Sequence, residues 1–389
     1  MHLVFATSIV PGGSPTTGYE IANAAILDGF RRAGVRVSVL GYAWPGRKRE
    51  QARDTVVLGE VDVRTDSASA LQKIQWLTKA VGTGRTFSSV KLAALPERAI
   101  RTAIEQIGPF DAYIINAVQF AGAFPDLFAD RPSIYIAHNV EFRSAEENAA
   151  AASDLLQKFL FRREARLLSR LEETFCRRAR FVLTLAEEDR AILGVDGAMR
   201  SAALPLVTCR KPPAPSPRKP ETDAALIGTW TWQPNRIGLD WFLGEVVPHL
   251  PRDFSIRLAG NIPAGFRCSL PNVEIVGRVP DAAEFVRGAH VVPLISRAGT
   301  GVQLKTIEAF ELGLPAVATR QSLRGIAHIP ENCVVEDDPE RFAAALVRAR
   351  EGATDLDGTA FHQAQMKALD AVIRKSLAML TPQPQEVAA

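Results

Sequence analysis

The chain has 389 residues, of which 47% are hydrophobic and 23% charged, and its formal net charge is +3. This length allows two domains with a sizeable buried core, and the composition excludes a mainly disordered chain. The small net charge, with basic residues that are not interleaved with stacking aromatics, argues against a nucleic-acid-binding protein.

The cysteines and the N-terminus predict a reduced, cytoplasmic protein. Cys176, Cys209, Cys268 and Cys333 lie far apart without C-x-x-C spacing, so we expect neither a zinc site nor a disulfide scaffold. The first residues lack a basic leader, and no run approaches the ~20 apolar residues of a transmembrane helix.

The first half of the sequence alternates strand-like and helical segments, which predicts parallel βαβ units. A helix is predicted over residues 19–33, closed by Gly34. The predicted strands are residues 3–8, 35–40, 112–115, 133–137 and 181–185.

A proline-rich segment marks the predicted domain boundary. Residues 212–220 contain five prolines, and proline neither donates to a sheet nor continues a helix. We therefore predict an N-terminal domain (1–208), a linker (209–223), a C-terminal domain (224–380) whose last helix packs back on the first domain, and a disordered tail (381–389).

The same alternation resumes after the linker. Helices are predicted over residues 236–247, 303–312, 339–350 and 358–380. The predicted strands are residues 225–227, 254–259, 273–276, 290–294, 315–319 and 333–335.

Residues 293–310 carry the clearest chemical signal, because a strand there ends in a small-residue loop that opens directly into a helix. Free N–H groups at such a helix start bind anions, and glycines let the backbone approach a phosphate. Lys305 could add positive charge, and Glu308, on the same helix face, could accept hydrogen bonds from ribose hydroxyls. The alternative interpretation is a glycine-containing turn with a surface Lys–Glu pair.

This segment resembles the donor-site signature of the family-4 glycosyltransferases of the GT-B fold. The resemblance implies an α/β protein with two Rossmann-like domains that face each other across a cleft. It also implies Glu308 on the nucleotide ribose, Lys305 on the pyrophosphate, and residues 299–302 (Gly299, Thr300, Gly301 and Val302) on the sugar and diphosphate. Many relatives carry two glutamates eight positions apart, whereas Thr300 stands where the first would fall.

Three further segments match the family in order. Gly228 lies in the loop that opens the nucleotide-binding domain, and Arg236 is the one cation near it. The resemblance implies that Gly260 and the run Gly277, Arg278 and Val279 line the base pocket. Each segment alone could be an ordinary strand-to-helix turn.

In the N-terminal half, residues 136–141 resemble the family's His-Asn-x-Glu element. The resemblance implies that His138 contacts the donor sugar near the reacting bond, while Asn139 and Glu141 shape the acceptor side. A purely structural histidine is the alternative, although the C-terminal end of a parallel strand is where α/β proteins bind ligands. Gly12 and Gly13 resemble the first loop of the fold, beside the β-phosphate and the acceptor.

The predicted activity is transfer of a sugar from a UDP- or GDP-linked donor to a glycan or lipid-linked acceptor, in bacterial envelope or exopolysaccharide synthesis. We expect no cofactor beyond this donor and no metal, because no Asp-x-Asp-type pair suggests metal-bound diphosphate. The resemblance implies retention of anomeric configuration. The alternatives are a catalytically degenerate GT-B scaffold or regulator, or a sugar-nucleotide epimerase.

Residues 155–180 hold eight basic and three acidic residues, with leucines and phenylalanines at helical spacing. This pattern is typical of a cationic helix on an anionic membrane surface. It is equally typical of an amphipathic helix that packs on the protein core. The first interpretation places the protein at the inner face of the plasma membrane.

Overall fold

The computed structural model describes residues 1–12, 17–46, 54–65, 68–197, 199–214 and 216–381. The chain forms two compact units, of which unit 1 comprises Met1–Leu204 with Ala368–Ala389 and unit 2 comprises Pro205–Lys367. The boundary precedes the predicted linker (209–223) by a few residues. Residues 382–389 of the predicted disordered tail lie outside the described residues.

Unit 1 is a parallel sheet covered by helices. Its strands are β1 (His2–Ile9), β2 (Arg36–Ala43), β3 (Thr55–Glu60), β4 (Ala112–Asn116), β5 (Ser133–Ala137), β6 (Phe181–Thr184) and β7 (Ser201–Ala203). Its helices are α1 (Gly18–Arg32), α2 (Ala70–Thr83), α3 (Phe87–Leu92), α4 (Glu97–Ile107), α5 (Val118–Ala123), α6 (Glu141–Ala151), α7 (Leu155–Arg178) and α8 (Glu187–Ile192). The strand order is β3-β2-β1-β4-β5-β6-β7.

Unit 2 repeats this architecture. Its strands are β8 (Thr222–Thr229), β9 (Ile256–Asn261), β10 (Val273–Gly277), β11 (Ala289–Leu294), β12 (Ala316–Ala318) and β13 (Cys333–Val335). Its helices are α9 (Gln233–Trp241), α10 (Ala282–Arg287), α11 (Leu304–Glu311) and α12 (Pro339–Gly352), with a π turn at Phe242–Val246 and 3-10 turns at Val247–His249 and Arg320–Leu323. The strand order is β10-β9-β8-β11-β12-β13, and α13 (Gly358–Ala378) starts in unit 2 and continues into unit 1.

The prediction of two α/β domains with parallel strands is confirmed. Two strands were not predicted, β3 and β7. β3 is partly exposed along its whole length, and β7 consists of three small residues, Ser201–Ala203. The helix predicted over residues 236–247 starts three residues earlier and changes to π and 3-10 turns, since Pro248 has no N–H with which to continue an α-helix.

Each sheet has one point at which the strand order reverses. In unit 1 the chain runs outward from β1 to β3 and then crosses to β4, and in unit 2 it runs from β8 to β10 and crosses to β11. The crevice beyond the carboxyl ends of the two strands at such a switch point is where α/β proteins bind ligands. The pairs β1–β4 and β8–β11 are therefore the places to look for function.

The chain's last helix completes the packing of α1. Leu369 and Ile373 on α13 are fully buried, and a Cβ at Gly29 on α1 would clash with both side chains. Arg32 and Asp370 form an ion pair of 2.7 Å between the same helices. Unit 1 thus combines residues that lie far apart in the sequence. Among the described helices, none is long and apolar enough to cross a membrane.

Ala117 holds a strained backbone conformation directly after β4. Its φ of 63° and ψ of 166° lie in a region that glycine alone adopts easily, and its N–H donates to Ile136 O at 2.9 Å. Such a conformation costs of order 1–3 kcal/mol. Since Ala117 follows Asn116 at the switch point of unit 1, the strain lies beside the edge of the sheet at which α/β proteins bind ligands.

Replacing Ala117 by glycine tests this strain. We expect Ala117→Gly to leave the free energy of unfolding unchanged or to raise it, because lost strain offsets the entropy of glycine. The matched control Ala112→Gly, at the buried start of the same strand, should cost about 1–2 kcal/mol. Urea unfolding of both variants provides the measurement. Equal destabilisation by the two would show that Ala117 is not strained.

Candidate functional site

The switch point of unit 2 is built around the loop between β11 and α11. Gly299 and Gly301 have φ values of 98° and 74°, a left-handed conformation that glycine adopts at no steric cost. The residue that precedes α11, Gln303, makes no side-chain capping hydrogen bond. The first N–H groups of α11 therefore point out of the helix end with its positive dipole, as in an anion site.

The 3-10 turn Arg320–Leu323 holds this loop in place. Ser322 Oγ accepts from the N–H of Ser296 at 2.8 Å and donates to Leu294 O at 2.7 Å. Gln321 Nε2 donates to Gly299 O at 2.7 Å, and Thr306 Oγ1 donates to Ser322 O at 2.9 Å. The loop is thus held in place by the side chains of the 3-10 turn behind it.

A second helix start lies beside the first. Helix α9 follows β8, and Trp232, the residue before it, also makes no side-chain capping hydrogen bond. A Cβ at Gly299 would lie 3.3 Å from Pro234 Cβ, so the two loops are in contact. A Cβ at Gly238 would clash with Ile295 O, which shows that glycine at this position lets α9 approach the end of β11. Two uncapped helix starts consequently converge at one edge of the sheet.

Lys305 and Glu308 line the same small cavity without bonding to each other. Within the described residues, neither side chain has a hydrogen bond or an ion pair, and Lys305 Nζ lies 5.8 Å from the ring centroid of Trp230. Burial lowers the pKa of Lys305 to about 8. Burial, and then the charges of Glu311 and Asp281, raise the pKa of Glu308 above its ordinary value. The surface Lys–Glu pair of the alternative interpretation is therefore not present.

Two other predicted donor residues, Gly260 and Arg236, have contacts within the protein itself. Gly228 is paired in register with Gly260, where a Cβ would clash with Gly228 O, so Gly260 has a structural reason to be glycine. Arg236 is already engaged, because it forms an ion pair with Asp240 at 2.7 Å and lies over the Phe266 ring.

The predicted base-pocket loop follows β10. Gly277 has a φ of 78°, Arg278 is exposed and Val279 is half-buried. The charge of Asp281, at the end of this loop, acts on Glu308, so the loop lies near the helix that carries the predicted ribose ligand.

The residues of the glycine-rich loop that follow Gly299 are at least partly buried. Thr300 and Gly301 are buried and Val302 is half-buried. Of the two nearby tryptophans, Trp230 is buried with its Nε1 donating to Ala259 O at 2.7 Å, whereas Trp232 is exposed. Only Trp232 therefore offers its ring to a ligand.

In unit 1, His138 belongs to a buried polar cluster at the switch point. His138 Nε2 pairs with Asn116 Oδ1 at 2.8 Å, and Asn116 Nδ2 donates to Asn23 Oδ1 at 2.8 Å. Thr7 Oγ1 and the Tyr19 hydroxyl each lie 3.1 Å from the same Asn116 nitrogen. Sequence reasoning identified His138 at the end of β5 but missed Asn116, although Asn116 ends the adjacent β4 in the same way.

This cluster holds His138 neutral. Burial lowers the pKa of His138 to about 4, and the Tyr19 ring lies 5.0 Å away, centroid to centroid. A neutral imidazole whose Nε2 faces the Asn116 carbonyl oxygen carries its proton on that nitrogen. The geometry therefore fixes both the charge and the orientation of the ring.

Helix α6 begins at Glu141, the last residue of the predicted His-Asn-x-Glu element, and its first N–H groups are capped by a buried carboxylate. Glu172 on α7 accepts from the N–H groups of Glu141 and Phe142, each at 2.9 Å. Burial, together with the charge of Glu141, raises the pKa of Glu172 to about 8. Burial also raises the pKa of Glu141, against hydrogen bonds from Asn139 and Gln119 that lower it. Asn139 and Glu141 are thus linked by a side-chain hydrogen bond.

The first loop of unit 1 is only partly described. A Cβ at Gly12 would meet no atom within 4 Å, so packing within the chain gives no reason for glycine there. Gly13 lies outside the described residues.

Comparison with known proteins identifies the C-terminal unit. Residues 222–351 match the family described as "Glycosyl transferases group 1". No curated protein sequence matches the chain.

Several solved structures share the fold over nearly the whole chain. Sucrose-phosphate synthase from Thermosynechococcus elongatus has a TM-score of 0.61 at 14% identity, over 97% of this chain and 96% of that chain. A mutant of S. aureus TarM in complex with fondaparinux, alpha-GlcNAc-glycerol and UDP has a TM-score of 0.61 at 10% identity, over 98% and 100%. WaaG, "a glycosyltransferase involved in lipopolysaccharide biosynthesis", has a TM-score of 0.55 at 15% identity, over 98% and 100%. The GT-B fold is thereby confirmed, and residues 222–351 in the C-terminal unit match a group 1 glycosyltransferase domain.

Proposed function

We propose that this enzyme transfers a sugar from a nucleoside-diphosphate donor, bound at the switch point of unit 2, to a glycan or lipid-linked acceptor. The observation that carries the proposal is the pair Lys305 and Glu308, two half-buried side chains of opposite charge that share a cavity but do not bond to each other. Their burial is unfavourable without a partner. A ligand with a diphosphate and a ribose would provide partners for both.

The diphosphate of the donor fits the part of the site formed by the two helix starts and Lys305. Its charge would meet the uncapped N–H groups at the starts of α9 and α11, with Lys305 as the principal cation because Arg236 is paired with Asp240. These groups are fixed before the reaction, so they can stabilise the charge that develops on the departing nucleoside diphosphate. We propose that this replaces a metal ion at the diphosphate, and that the transfer retains anomeric configuration.

With the diphosphate at the two helix starts, the positions of the donor's ribose, base and sugar follow. Glu308 would accept hydrogen bonds from the ribose, with the loop of Gly277 and Val279 beside the base and the loop of Gly299–Val302 beside the sugar. The UDP in the S. aureus TarM complex, a protein of similar fold, supports a uridine donor. A guanosine donor is the other candidate, and the first experiment below distinguishes them.

For unit 1, we retain the predicted contact between His138 and the donor sugar. Its position at the unit's own switch point, its neutral charge and its fixed orientation support this role. The strained Ala117 beside its partner Asn116 is a further feature typical of functional edges.

We also propose that α7 lies on an anionic membrane surface. Arg162, Arg166 and Arg170 form a stripe along a groove beside α6, and within the described residues none of the three has an ion pair. Leu155 and Phe159, in the first turns of α7, are 83% and 61% exposed. Exposed apolar side chains next to unpaired arginines are typical of an interfacial helix.

The two interpretations of this segment apply to different parts of the helix. Ala165, Leu168, Phe175 and Cys176 are buried in the core of unit 1, as expected of a packed amphipathic helix. Its exposed first turns and its arginine stripe remain available for lipid. WaaG, named for lipopolysaccharide biosynthesis, has a similar fold, which supports an envelope glycan as the product.

The donor site is tested by calorimetry with UDP, GDP and ADP. We expect one nucleotide to bind wild type clearly best, and Glu308→Gln to bind it at least tenfold more weakly (~1.4 kcal/mol), because the neutral amide is a poorer acceptor for ribose hydroxyls. The control Glu340→Gln, at an exposed position in the first turn of α12, should bind as wild type does.

A ligand lacking the ribose hydroxyls makes this test specific. The 2′,3′-dideoxy form of the same nucleotide should bind wild type and Glu308→Gln equally. An undiminished difference would remove Glu308 from the ribose, and no binding of any nucleotide would contradict the donor site as a whole.

The lowered pKa of Lys305 leads to a prediction about how donor affinity depends on pH. Because its pKa is about 8 in the free protein, the side chain loses its charge above that pH. Nucleotide affinity should therefore fall between about pH 8 and pH 9, by up to tenfold per pH unit. Lys305→Arg should abolish this dependence, since arginine stays charged, and Lys305→Met should bind weakly throughout. Identical pH profiles in wild type and Lys305→Arg would argue against contact with the diphosphate.

Membrane association is tested by co-sedimentation with phosphatidylglycerol-containing vesicles. Replacing Arg162, Arg166 and Arg170 by Gln should weaken binding at least tenfold, since each basic residue near an anionic surface contributes ~1 kcal/mol. The charge-matched control replaces Arg98, Arg252 and Arg341, which are exposed elsewhere. If both triple variants bind alike, or wild type does not sediment, α7 is not the lipid-binding surface.

A further inference from the structure

Three potential metal ligands meet at the end of α11 that is opposite the donor site. Glu311 is the last residue of this helix, Cys209 lies in the segment that leads into β8, and His362 lies near the start of α13. The cysteine sulfur, a carboxylate oxygen and a ring nitrogen all lie within 4.8 Å of one another. All three residues belong to unit 2.

The cluster is largely closed to solvent. Glu311 and His362 are 2% and 5% exposed, while Cys209 is half-buried. His362 Nδ1 lies 2.8 Å from Glu311 Oε1, and Cys209 Sγ lies 3.6 Å from Glu311 Oε2. The backbone N–H of Thr208 donates to both carboxylate oxygens at 3.1–3.2 Å, and the Thr208 hydroxyl donates to Oε2. The carboxylate is therefore held in one orientation.

We propose that Cys209, Glu311 and His362 form a zinc-binding site that is separate from sugar transfer. Thiolate, imidazole and carboxylate together are the ligands zinc prefers. Tetrahedral zinc, with Zn–S of about 2.3 Å and Zn–O of about 2.1 Å, places a sulfur and an oxygen about 3.6 Å apart. This is the distance that separates Cys209 Sγ from Glu311 Oε2.

Metal binding requires one small rearrangement and one proton release. His362 Nδ1 lies 2.8 Å from the other carboxylate oxygen, Oε1, whereas nitrogen and oxygen ligands of the same zinc lie about 3.4 Å apart, so His362 must turn away from Oε1 toward the metal. The Cys209 thiol loses its proton to solvent, and the ring proton that His362 Nδ1 donates to Glu311 moves to Nε2, so that Nδ1 can bind the metal. One thiolate and one carboxylate then balance the two charges of zinc, and the fourth position is left for water on the half-buried Cys209 side.

The ligands come from three segments that are distant in sequence. Glu311 is 102 residues from Cys209 and 51 from His362. Sequence spacing therefore gave no sign of the site, and we had expected no zinc. A bound metal would join the start of unit 2, the donor-site helix and the first turns of α13, so its role is to stabilise the unit.

The test uses the full chain, stripped with chelator and then titrated with Zn²⁺ or Co²⁺. Zinc content and the cobalt–thiolate absorption band report binding without reference to activity. Cys209→Ser and His362→Gln each keep a hydrogen-bond donor for Glu311 and remove a ligand, so both should fold. The control Cys268→Ser removes a cysteine elsewhere in unit 2.

We expect ~1 zinc per chain and a thiolate band in wild type and Cys268→Ser. Cys209→Ser should lose the band, and both ligand variants should bind zinc at least about tenfold more weakly. Chelator should lower the Tm of wild type but not of Cys209→Ser. If wild type retains no more zinc than Cys209→Ser, the cluster is only hydrogen-bonded and the proposal is wrong. Nucleotide binding by Cys209→Ser tests the donor site independently.

Discussion

The adjacency of parallel strands β8 and β11 is the constraint on which the donor site depends. Each strand delivers its chain to the same edge of the sheet, and each is followed by a helix whose first N–H groups lack a side-chain cap. Because the strands are hydrogen-bonded neighbours, the two helix starts must lie close together. Gly238 and Gly299 then allow the loops to touch. The anion site is therefore a result of backbone topology, and side chains refine it.

Lys305 and Glu308 lose part of their solvation at this edge of the sheet. Both side chains are moved out of water, and the direction of each pKa change reports that the charged form is disfavoured. Evolution commonly keeps such unfavourable groups only where function needs them. A partner bound at the site would recover the lost solvation energy, so donor binding and local stability are coupled. The same reasoning applies to Ala117, where the strain is in the backbone.

Much of this was predictable from the sequence, because strand and loop signals are local. Residues 133–137 and 333–335 were predicted as strands with the bounds that the structure shows. Gly238 could not be found in this way, since its importance comes from Ile295 O, which lies far away in the sequence. Asn116 has the same strand-end position as His138, but its pairing with that residue appears only in the folded chain. β7 was missed because its three residues are small (Ser201–Ala203) and lack the β-branched side chains that mark β13 as a strand. The roles of His138 and of the donor residues stay predictions.

The return of the C-terminal segment to unit 1 has a consequence for biosynthesis. During synthesis α1 emerges long before Leu369 and Ile373, the residues that complete its buried face. Unit 2 contains all of its own strands by residue 335. The sheet of unit 2 can therefore form while α1 still exposes apolar surface, and a nascent chain in that state is prone to aggregate until α13 has been made.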